Sequence, residues 1–377
     1  MRATRALIHL DRFCRNMEVL RERIGPGPAI CMPVKADAYG HGAAPIAWAA
    51  LAMGAGYLAV ASVQEGEELR AAGITLPILL FSQPLPEELP QIIAGGLCPF
   101  VSDREFIEAA GRAAAGGILP VHLKIDTGMG RMGCRPEEAA ELAGYIRRFK
   151  SLGLAGIATH LAAADSPREE DIRYTQKQLE RFRAAVADIR AAGIDPGIVH
   201  AANSGAAVFH DDAWFDMVRP GIALYGYSPG KDSPRALPVE PVMEFQTRIV
   251  FIKEVKKGES LSYGRTWTAP RDTRIATLPA GYADGLPRGL SGRHAVYIRG
   301  APYPLVGRIC MDQCLADLGP DSDIRRWEEA VLFGGPGPSA ADVASKLATI
   351  PYEITCRINK RVPRIYMGRI PGGITTK

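Results

Sequence analysis

The sequence predicts an α/β protein with an N-terminal (β/α)8 barrel of the TIM type and a C-terminal domain that is mostly β. Short apolar runs alternate with helical segments over about the first 225 residues, as in parallel β sheets. Eight such units are present, the number that a barrel requires. After Tyr227, a stretch rich in Pro, Ser and Gly predicts a linker, and short β-type runs follow it. An open, doubly wound sheet is the alternative, because strand counts from one sequence are error-prone.

We therefore expect a barrel domain over residues 1–235 and a β domain over residues 236–377. The predicted barrel strands are Ala29–Val34, Tyr57–Ala61, Ile78–Phe81, Leu97–Val101, Val121–Ile125, Gly156–His160, Ile198–Ala201 and one near Met217–Arg219. The helices include Pro45–Met53, Val63–Ala72, Arg104–Ala115, Pro136–Lys150 and Arg168–Ala192. The second domain has predicted strands at Met243–Val255, Arg274–Pro279, His294–Ile298, Pro304–Ile309 and Ala330–Phe333, and a helix at Ala340–Leu347 with Ser339 as its N-cap.

Composition argues against several functional classes. The formal net charge is only +4 and no dense block of Lys and Arg occurs, so nucleic-acid binding is not indicated. The uncharged stretch from Gly42 to Val63 is rich in Ala and Gly, which contribute little transfer energy into lipid, so we expect no membrane span. Seven cysteines without a signal-peptide pattern indicate free thiols in the cytoplasm. Cys310 and Cys314 lack a second Cys/His pair, so we expect no metal site.

The motif VKADAYGHG (Val34–Gly42) carries the first candidate for chemistry. Lys35 ends an apolar strand, and the carboxyl ends of barrel strands face the active site. Partial desolvation there favours a neutral amine, which Schiff-base chemistry needs. A lysine whose amine extends into solvent from a strand end would have the same pattern. The nearby Tyr39 and His41 support the functional interpretation only modestly.

Two further barrel strands end in polar motifs. HLKIDTGMGRMG (His122–Gly133) places Lys124 and Asp126 at a strand end and presents Arg131 from a glycine-rich turn. Buried polar groups need partners, and a structural Lys–Asp pair followed by an ordinary turn is the alternative. THLAAAD (Thr159–Asp165) places His160 at the next strand end, where a hydrogen-bonded core histidine is the commoner explanation.

The loops after the last two predicted strands have the chemistry of a phosphate site. HAANSGA contains Ser204 and Gly205, and RPGIALYG contains Gly221 and Ile222. A hydroxyl and backbone N–H donors suit a phosphate dianion. These loops are also the usual phosphate site of such barrels. Strand count and chemistry therefore agree on the same location.

Three motifs stand out in the second domain: SYGRTW (Ser262–Trp267), GYADG (Gly281–Gly285) and CMDQC (Cys310–Cys314). Taken singly, they fit a β-turn, a tyrosine-bearing loop and a strand end. Taken together and in order, all these motifs resemble the bacterial alanine racemase family, from VKADAYGHG to PYEITCRINKRVPRIY (Pro351–Tyr366). The resemblance covers essentially the whole chain. It implies a barrel plus a β domain, pyridoxal phosphate as cofactor, and a homodimer in which each active site is shared between two subunits.

The resemblance also implies catalytic roles. Lys35 corresponds to the lysine that binds the cofactor and acts as base on the D-alanine side. Tyr263 corresponds to the base on the L-alanine side and comes from the partner subunit. Racemisation needs bases on two opposite faces. A phenol ordinarily has a pKa near 10, so the tyrosine needs help near neutral pH. In the family a chain of side chains supplies it, and here it matches His160, Arg219 and His200.

Arg219 further corresponds to the residue that faces the pyridine nitrogen of the cofactor. Many pyridoxal enzymes have a carboxylate there, which keeps the nitrogen protonated, whereas a guanidinium cannot accept a proton. The resemblance therefore implies a weaker electron sink and fewer side reactions. The remaining correspondences are Tyr39, Ser204, Gly221, Ile222 and Tyr352 for the phosphate, Arg131 and the partner's Met311 backbone for the substrate carboxylate, Lys124 as a carbamylated lysine that orients the arginine, Tyr282 as a tyrosine at the entrance of the site, and Asp312 as a nearby polar group.

The resemblance implies racemisation of alanine, with D-alanine used for peptidoglycan. An amino-acid racemase of broader specificity, acting on serine or lysine, is the first alternative. A barrel-type pyridoxal decarboxylase would share the lysine but should lack the SYG tyrosine. A non-catalytic pyridoxal-phosphate-binding protein would resemble the barrel alone, whereas here a β domain follows from about Leu237 onward.

Overall fold

A computed structural model describes residues 2–230 and 235–371 of the chain. Residues 231–234 of the predicted linker and residues 372–377 lie outside the described residues. In chain order the strands are β1 (Arg5–His9), β2 (Ala29–Pro33), β3 (Tyr57–Val60), β4 (Ile78–Leu80), β5 (Leu97–Val101), β6 (Leu119–Lys124), β7 (Leu152–Ala158), β8 (Ile198–His200), β9 (Met217–Val218), β10 (Met243–Arg248), β11 (Phe251–Val255), β12 (Ser260–Leu261), β13 (Trp267–Thr268), β14 (Thr273–Leu278), β15 (Ala295–Ile298), β16 (Ala301–Val306), β17 (Cys314–Gly319), β18 (Glu329–Phe333) and β19 (Arg364–Met367). The helical segments are α1 (Leu10–Ile24), α2 (Lys35–Tyr39), α3 (Ala43–Ala52), α4 (Val63–Ala71), α5 (Leu89–Ala94), α6 (Arg104–Ala113), α7 (Ala139–Ile146), α8 (Glu169–Ala191), α9 (Ser204–Phe209), α10 (Ala340–Lys346) and α11 (Pro351–Cys356), of which α2 is a left-handed turn.

The predicted barrel is present. Eight parallel strands form one sheet in the order β8-β7-β6-β5-β4-β3-β2-β9. The sheet curls round until its first and last strands meet, where the Asp216 N–H donates to the Val199 carbonyl at 3.0 Å and the Arg219 N–H donates to the Ala202 carbonyl at 2.8 Å. Every predicted barrel strand is confirmed with small shifts of its ends, and the open-sheet alternative is wrong.

The second sheet contains most of the strands after residue 241, together with β1, which comes from the region predicted as the barrel domain; β12 and β13 form a separate two-stranded sheet. Its nine strands have the order β11-β14-β17-β16-β15-β18-β10-β1-β19. The strand Arg5–His9 pairs antiparallel with β10 and parallel with β19. The chain therefore begins in the sheet of the second domain. Because the pairing joins residues some 240 positions apart, no local pattern predicts it. The division of domains at residues 235 and 236 stays a prediction.

Several details of the second domain differ from the sequence prediction. The run Met243–Val255 forms two strands that are separated at Ile249 and Val250, since β10 pairs with β1 and β18 whereas β11 pairs with β14. Strands β12, β13, β17 and β19 were not predicted. The helix after Ser339 is confirmed, and the Ser339 hydroxyl accepts from the Asp342 N–H as an N-cap. None of the described helices has the length and apolarity of a membrane span.

The barrel determines where the candidate residues lie. Lys35, His160, His200 and Arg219 each follow a barrel strand within two residues or end it, and Lys124 ends β6. Parallel strands have their carboxyl ends at the same rim, so these side chains meet at one end of the barrel. Within the described ranges, no group of three or more His, Cys, Asp or Glu side chains has the geometry of a metal site.

Candidate active site

A cavity of about 650 Å³ opens at the carboxyl ends of the barrel strands. The predicted residues that line it are Lys35, Tyr39, Lys124, Arg131, His160, Ser204, Arg219, Gly221 and Tyr352. They end or follow five barrel strands, β2, β6, β7, β8 and β9, and one of them comes from α11 in the second domain. The structure therefore brings most of the predicted barrel-side residues to one site.

Lys35 begins an unusual turn. The four residues Ala36, Asp37, Ala38 and Tyr39 all have φ between 52° and 56°, the left-handed region. This conformation costs roughly 1–2 kcal/mol per residue for L-amino acids. It persists only where the surroundings hold it. At the end of the turn, Gly40 has a φ of 85°, and a Cβ there would overlap the carbonyl oxygen of Thr355 in α11.

The surroundings of Lys35 favour its neutral form. Burial lowers the pKa of the Lys35 ammonium, and the Arg131 guanidinium lowers it further. The Glu65 carboxylate and the Cys356 thiol act in the opposite direction. A neutral amine is a nucleophile and a proton acceptor, so Lys35 is suited to bond to a carbonyl carbon or to take up a proton.

A buried network of hydrogen bonds surrounds Arg219. One guanidinium nitrogen lies 2.8 Å from Nδ1 of His200, and the other donates to the carbonyl oxygens of Thr159 at 2.8 Å and Ala201 at 3.0 Å. The second nitrogen also lies 3.4 Å from Nδ1 of His160. A guanidinium has donors only, so Nδ1 of His200 must act as an acceptor. The two N–H groups of the second nitrogen already serve the two carbonyls, so its approach to His160 is a close contact.

The network continues to a histidine that sequence analysis did not consider. Nε2 of His200 lies 2.8 Å from Nδ1 of His122. Because Nδ1 of His200 accepts from Arg219, its Nε2 carries the proton and donates it to His122. Burial lowers the pKa of His122 to about 3 and the pKa of His200 and His160 well below the usual value. Burial also lowers the pKa of Arg219 to about 10, so one cation stands beside neutral imidazoles at pH 7.

Lys124 is buried at the end of β6, beside this network. Its Nζ lies 3.4 Å from the carbonyl oxygen of Ile125. The Asp126 carboxylate accepts from the N–H groups of Gly128 and Gly130, so its hydrogen bonds hold the turn that leads to Arg131. Burial, with a contribution from Arg219, lowers the pKa of Lys124 to about 7. Lys124 is therefore a buried amine with a substantial neutral fraction near neutral pH.

Opposite Lys35, the loops after β8 and β9 form a cradle. The Ser204 hydroxyl accepts from the Gly221 N–H at 2.8 Å. A Cβ on Gly221 would lie 2.7 Å from the Tyr39 hydroxyl, so only glycine leaves that space open. The rings of Tyr39 and Tyr352 lie 5.6 Å apart. Three hydroxyl-bearing side chains therefore line the cavity beside the backbone of these loops, and this set of polar groups fits the phosphate of pyridoxal phosphate.

The predicted residues of the second domain form a separate group. Tyr263, Tyr282, Met311 and Asp312 are not among the residues that line the cavity. The loops of Tyr282 and Met311 are joined by hydrogen bonds from the Tyr282 N–H to the Cys310 carbonyl at 3.1 Å and from the Ala283 N–H to the Met311 carbonyl at 3.0 Å. Within a single chain, Tyr263 is 71% exposed, Met311 53% and Tyr282 43%.

Side-chain hydrogen bonds and ion pairs keep this second group together. The Ser262 hydroxyl donates to the Arg308 carbonyl at 2.8 Å, which holds the Tyr263 turn beside the loop of Met311. Arg361 bridges the carboxylates of Asp284 and Asp312, each at 2.8 Å. The structure thus divides the predicted site residues into a cavity group and an exposed group, each ordered by its own contacts.

Sequence reasoning missed several polar side chains that support the site. Besides His122, the buried Gln178 in α8 donates to the His160 carbonyl at 3.2 Å and accepts from the Ala162 N–H at 2.9 Å. Asp284 is fully buried and pairs with Arg2 and Arg361. Glu65 accepts from the N–H of Ala36, next to Lys35. Of these residues, only Glu65 could have been found from the sequence, because Ser62 three residues before it completes the pattern of a capping box.

The site combines a lysine of lowered pKa at a barrel strand end with neighbouring hydroxyls and N–H donors. These features define a class of barrel enzyme whose site suits a phosphate-bearing ligand with a reactive carbonyl. Comparison with known proteins gives the family. The model of the alanine racemase N-terminal domain matches residues 8–229, and that of the alanine racemase C-terminal domain matches residues 242–366. The chain belongs to the alanine racemase family.

Individual relatives agree over nearly the full length. The chain is 48% identical to an alanine racemase of Treponema denticola, over 97% of this chain and 99% of the relative. It is 45% identical to an alanine racemase of Treponema pallidum, over 97% and 100%. Among solved structures, an alanine racemase of Clostridium difficile superposes with a TM-score of 0.93 at 37% identity, covering 97% of this chain and 96% of that one. One from Streptomyces lavendulae has a TM-score of 0.90 at 38% identity, covering 98% of each chain.

Proposed function

We propose that this enzyme interconverts L-alanine and D-alanine in the cytoplasm with pyridoxal phosphate as cofactor, supplying D-alanine for peptidoglycan. The observation that carries the proposal is the position of Lys35, which lines the same cavity as the hydroxyl cradle. The names and overall similarity of the relatives support alanine as the substrate. Lys35 would hold the cofactor covalently, and Tyr39, Ser204, Gly221, Ile222 and Tyr352 would hold its phosphate.

When bound, pyridoxal phosphate supplies an electron sink for the electron pair left at the α-carbon. The protein must then move a proton from one face of that carbon to the other. Lys35 takes or delivers the proton on one face, and its lowered pKa makes the neutral amine available for this step. Tyr263 serves the opposite face. Arg131, at the mouth of the cavity, binds the substrate carboxylate.

The second base has to come from another copy of the chain. Tyr263 is exposed and does not line the cavity of its own subunit. We infer a homodimer in which the partner's Tyr263 and the backbone of the partner's Met311 complete each cavity. Tyr282 and Asp312 would enter the same shared site, because their loops contact the loop of Met311 or belong to it. His160, Arg219 and His200 would connect the partner's Tyr263 to the interior of the barrel.

Arg219 also bears on side reactions of the site, such as transfer of the amino group. It is buried, it remains charged at neutral pH, and it offers donors only. A pyridine nitrogen held beside Arg219 would remain unprotonated, because the guanidinium cannot accept a hydrogen bond from a pyridinium N–H. The electron sink is therefore weaker than with a carboxylate at that position, which favours return of the proton over transfer of the amino group.

Lys124 is proposed to carry a carbamate. Carbon dioxide reacts with neutral amines, and a pKa of about 7 leaves much of Lys124 neutral under mild conditions. The carbamate would be an anion able to pair with Arg131. In bicarbonate buffer, we expect the intact, folded protein to gain the mass of one CO2 in native mass spectrometry, and Lys124→Arg to abolish the gain. An unmodified Lys124 in a fully active enzyme would remove the carbamate from the proposal.

The test of function is chiral chromatography of L-alanine incubated with the holoenzyme, with L-serine and L-lysine in parallel. We expect alanine to approach an equal mixture of enantiomers. Serine and lysine should react more slowly, since Tyr352 at the cavity and the partner's Tyr282 would favour a small side chain. Comparable turnover of serine or lysine would indicate a racemase of broader specificity. No racemisation by a holoenzyme with bound cofactor would contradict the proposal and favour a decarboxylase or a cofactor-binding protein.

A further inference from the structure

We propose that Glu65 is a positioning residue for Lys35. Its carboxylate connects the start of the Lys35 turn to the end of the neighbouring barrel strand by hydrogen bonds, and this connection determines the position of the Lys35 amine. The inference rests on the proposed function insofar as Lys35 is the reactive lysine. Glu65 itself does not line the cavity and has no proposed contact with substrate or cofactor.

The hydrogen bonds of Glu65 join two separate segments. One carboxylate oxygen accepts from the Ala36 N–H at 2.7 Å. The other accepts from the Ala61 N–H at 2.7 Å and from the Ser62 N–H at 3.4 Å. A capping box needs only the bond to Ser62. The two shorter bonds instead connect the residue after Lys35 with the residue after β3.

The Lys35 turn needs a restraint at this end. Its four left-handed residues are disfavoured by their own backbone sterics and revert unless neighbours hold them. At the far end, the Arg364 guanidinium donates to the Gly40 carbonyl at 3.0 Å, and Nδ1 of His41 lies 3.0 Å from the Ala38 carbonyl. At the near end, the Glu65 carboxylate bonds to the first left-handed residue, Ala36. Loss of this bond would free the part of the turn that carries Lys35.

The charge of Glu65 provides a second, measurable effect. The groups that act on the Lys35 amine come from three elements: Arg131 from the turn after β6, Glu65 from α4 and Cys356 from α11. Burial and Arg131 favour the neutral amine, and Glu65 opposes them. Removal of the negative charge should therefore lower the pKa of Lys35 further, whereas a merely structural defect elsewhere would leave it unchanged.

Three variants separate the hydrogen bond from the charge. Glu65→Gln removes the charge and turns one acceptor into a donor, so either the Ala36 N–H or the N–H groups of Ala61 and Ser62 lose their partner. Glu65→Asp keeps the charge but shortens the reach. Glu67→Gln is the matched control, because Glu67 lies two residues away on the same helix and is exposed. Thermal unfolding of each apoprotein establishes that it is folded, and Glu65→Asp carries the test if Glu65→Gln does not fold.

Two measurements decide the proposal. Competitive acetylation of the apoprotein, followed by peptide mass spectrometry across a pH series, reports the pKa of Lys35 without any cofactor. Steady-state racemisation by the holoenzyme reports kcat and KM. For Glu65→Gln we expect a lower Lys35 pKa and a kcat reduced about tenfold, equivalent to about 1.4 kcal/mol, with little change in KM. For Glu65→Asp we expect a Lys35 pKa close to that of the wild type and a reduced kcat, and for Glu67→Gln no change.

The outcomes are distinct from those of the functional proposal. A wild-type kcat in both Glu65 variants, or a Lys35 pKa that does not move in Glu65→Gln, would overturn the role of Glu65. If the wild-type holoenzyme failed to racemise alanine, the functional proposal would fall, and the acetylation comparison would alone decide the Glu65 proposal.

Discussion

At the scale of single residues, the chemistry of Arg219 orders the imidazoles around it. Since its guanidinium can only donate, Nδ1 of His200 accepts, and the proton on Nε2 of His200 points to His122. Burial keeps both imidazoles neutral. The direction of every hydrogen bond in the series Arg219–His200–His122 therefore follows from one permanently charged residue.

Substitutions at His122 should reveal whether it accepts the proton of His200. His122→Leu leaves the buried N–H of His200 without an acceptor, which should cost about 1–3 kcal/mol in the free energy of unfolding and lower kcat as Arg219 loses its fixed orientation. His122→Asn places an amide oxygen near the position of Nδ1 and should retain most of the stability and most of the kcat. Urea unfolding and steady-state kinetics of the two variants make the comparison. Equal behaviour of the Leu and Asn variants would mean that His122 serves only as packing.

At the scale of elements, the Lys35 turn depends on a helix that lies more than 300 residues further along the chain. Gly40 ends the turn with positive φ, and α11 approaches so closely that a Cβ would overlap the Thr355 carbonyl oxygen. The motif AYGHG suggested a glycine-containing loop. The close approach of α11 adds a second reason for glycine at this position, one that cannot be read from the motif.

Gly40→Ala should therefore be more destabilising than the same change at Gly54. Both glycines have positive φ, 85° and 78°, but a Cβ at Gly54 would meet no atom within 4 Å. Gly54→Ala thus measures the backbone cost alone, about 1–2 kcal/mol. Gly40→Ala adds the clash with α11 and should also reduce cofactor binding. Thermal unfolding and cofactor titration test this prediction. Equal losses of stability at the two positions would show that α11 can move to accommodate the added Cβ at little cost.

At the scale of the whole molecule, the arrangement of the two residue groups implies exchange between subunits. The cavity holds Lys35, and the exposed group holds Tyr263. In a shared-site dimer, Lys35→Ala and Tyr263→Phe should each abolish activity. A hybrid of the two variants has one site with the native Lys35 of one subunit and the native Tyr263 of the other.

Mixing the two inactive variants under conditions of subunit exchange should accordingly restore activity, up to about a quarter of the wild-type value if hybrids form at random. Each variant taken alone through the same exchange is the control. If the mixture stays inactive although mass spectrometry detects hybrid dimers, the two residues do not act in one shared site.

The buried histidines predict a global response to acid. Burial lowers the pKa of His41 and His294 to about 4 and that of His122 to about 3, and it also lowers the pKa of His200. The unfolded chain, with histidine pKa values near 6.5, binds more protons below that pH than the folded protein does. Stability is therefore fully present above about pH 6.5 and is lost as the pH falls towards 4.

From pH 7 to pH 5.5, each of these histidines should lower the free energy of unfolding by roughly 1 kcal/mol. Urea unfolding at the two pH values measures the total. His294→Gln, at a site remote from the cavity, should reduce the difference by one histidine's share. A pH response that is unchanged in this variant would assign the acid sensitivity to other groups.

The sequence by itself determined the alternation of apolar strands and helices, and hence the barrel, because that alternation is a local property of each segment. It also determined that the polar motifs with Lys35, Lys124, His160, Ser204 and Arg219 follow barrel strands, and barrel geometry then brings them to one rim. The motif order was sufficient to indicate the alanine racemase family. These conclusions required no knowledge of which distant segments touch.

Only the tertiary structure decided the contacts between distant segments. Examples are the pairing of Arg5–His9 with β10, the hydrogen bond from His200 to His122, and the bridge that Glu65 forms between Ala36 and Ala61. The exposure of Tyr263, outside its own cavity, belongs to the same group. The physical reason is common to all of them. A hydrogen bond or a contact depends on distances of a few ångströms, and these are set when the barrel closes and the two sheets form, not by the residues adjacent in the chain.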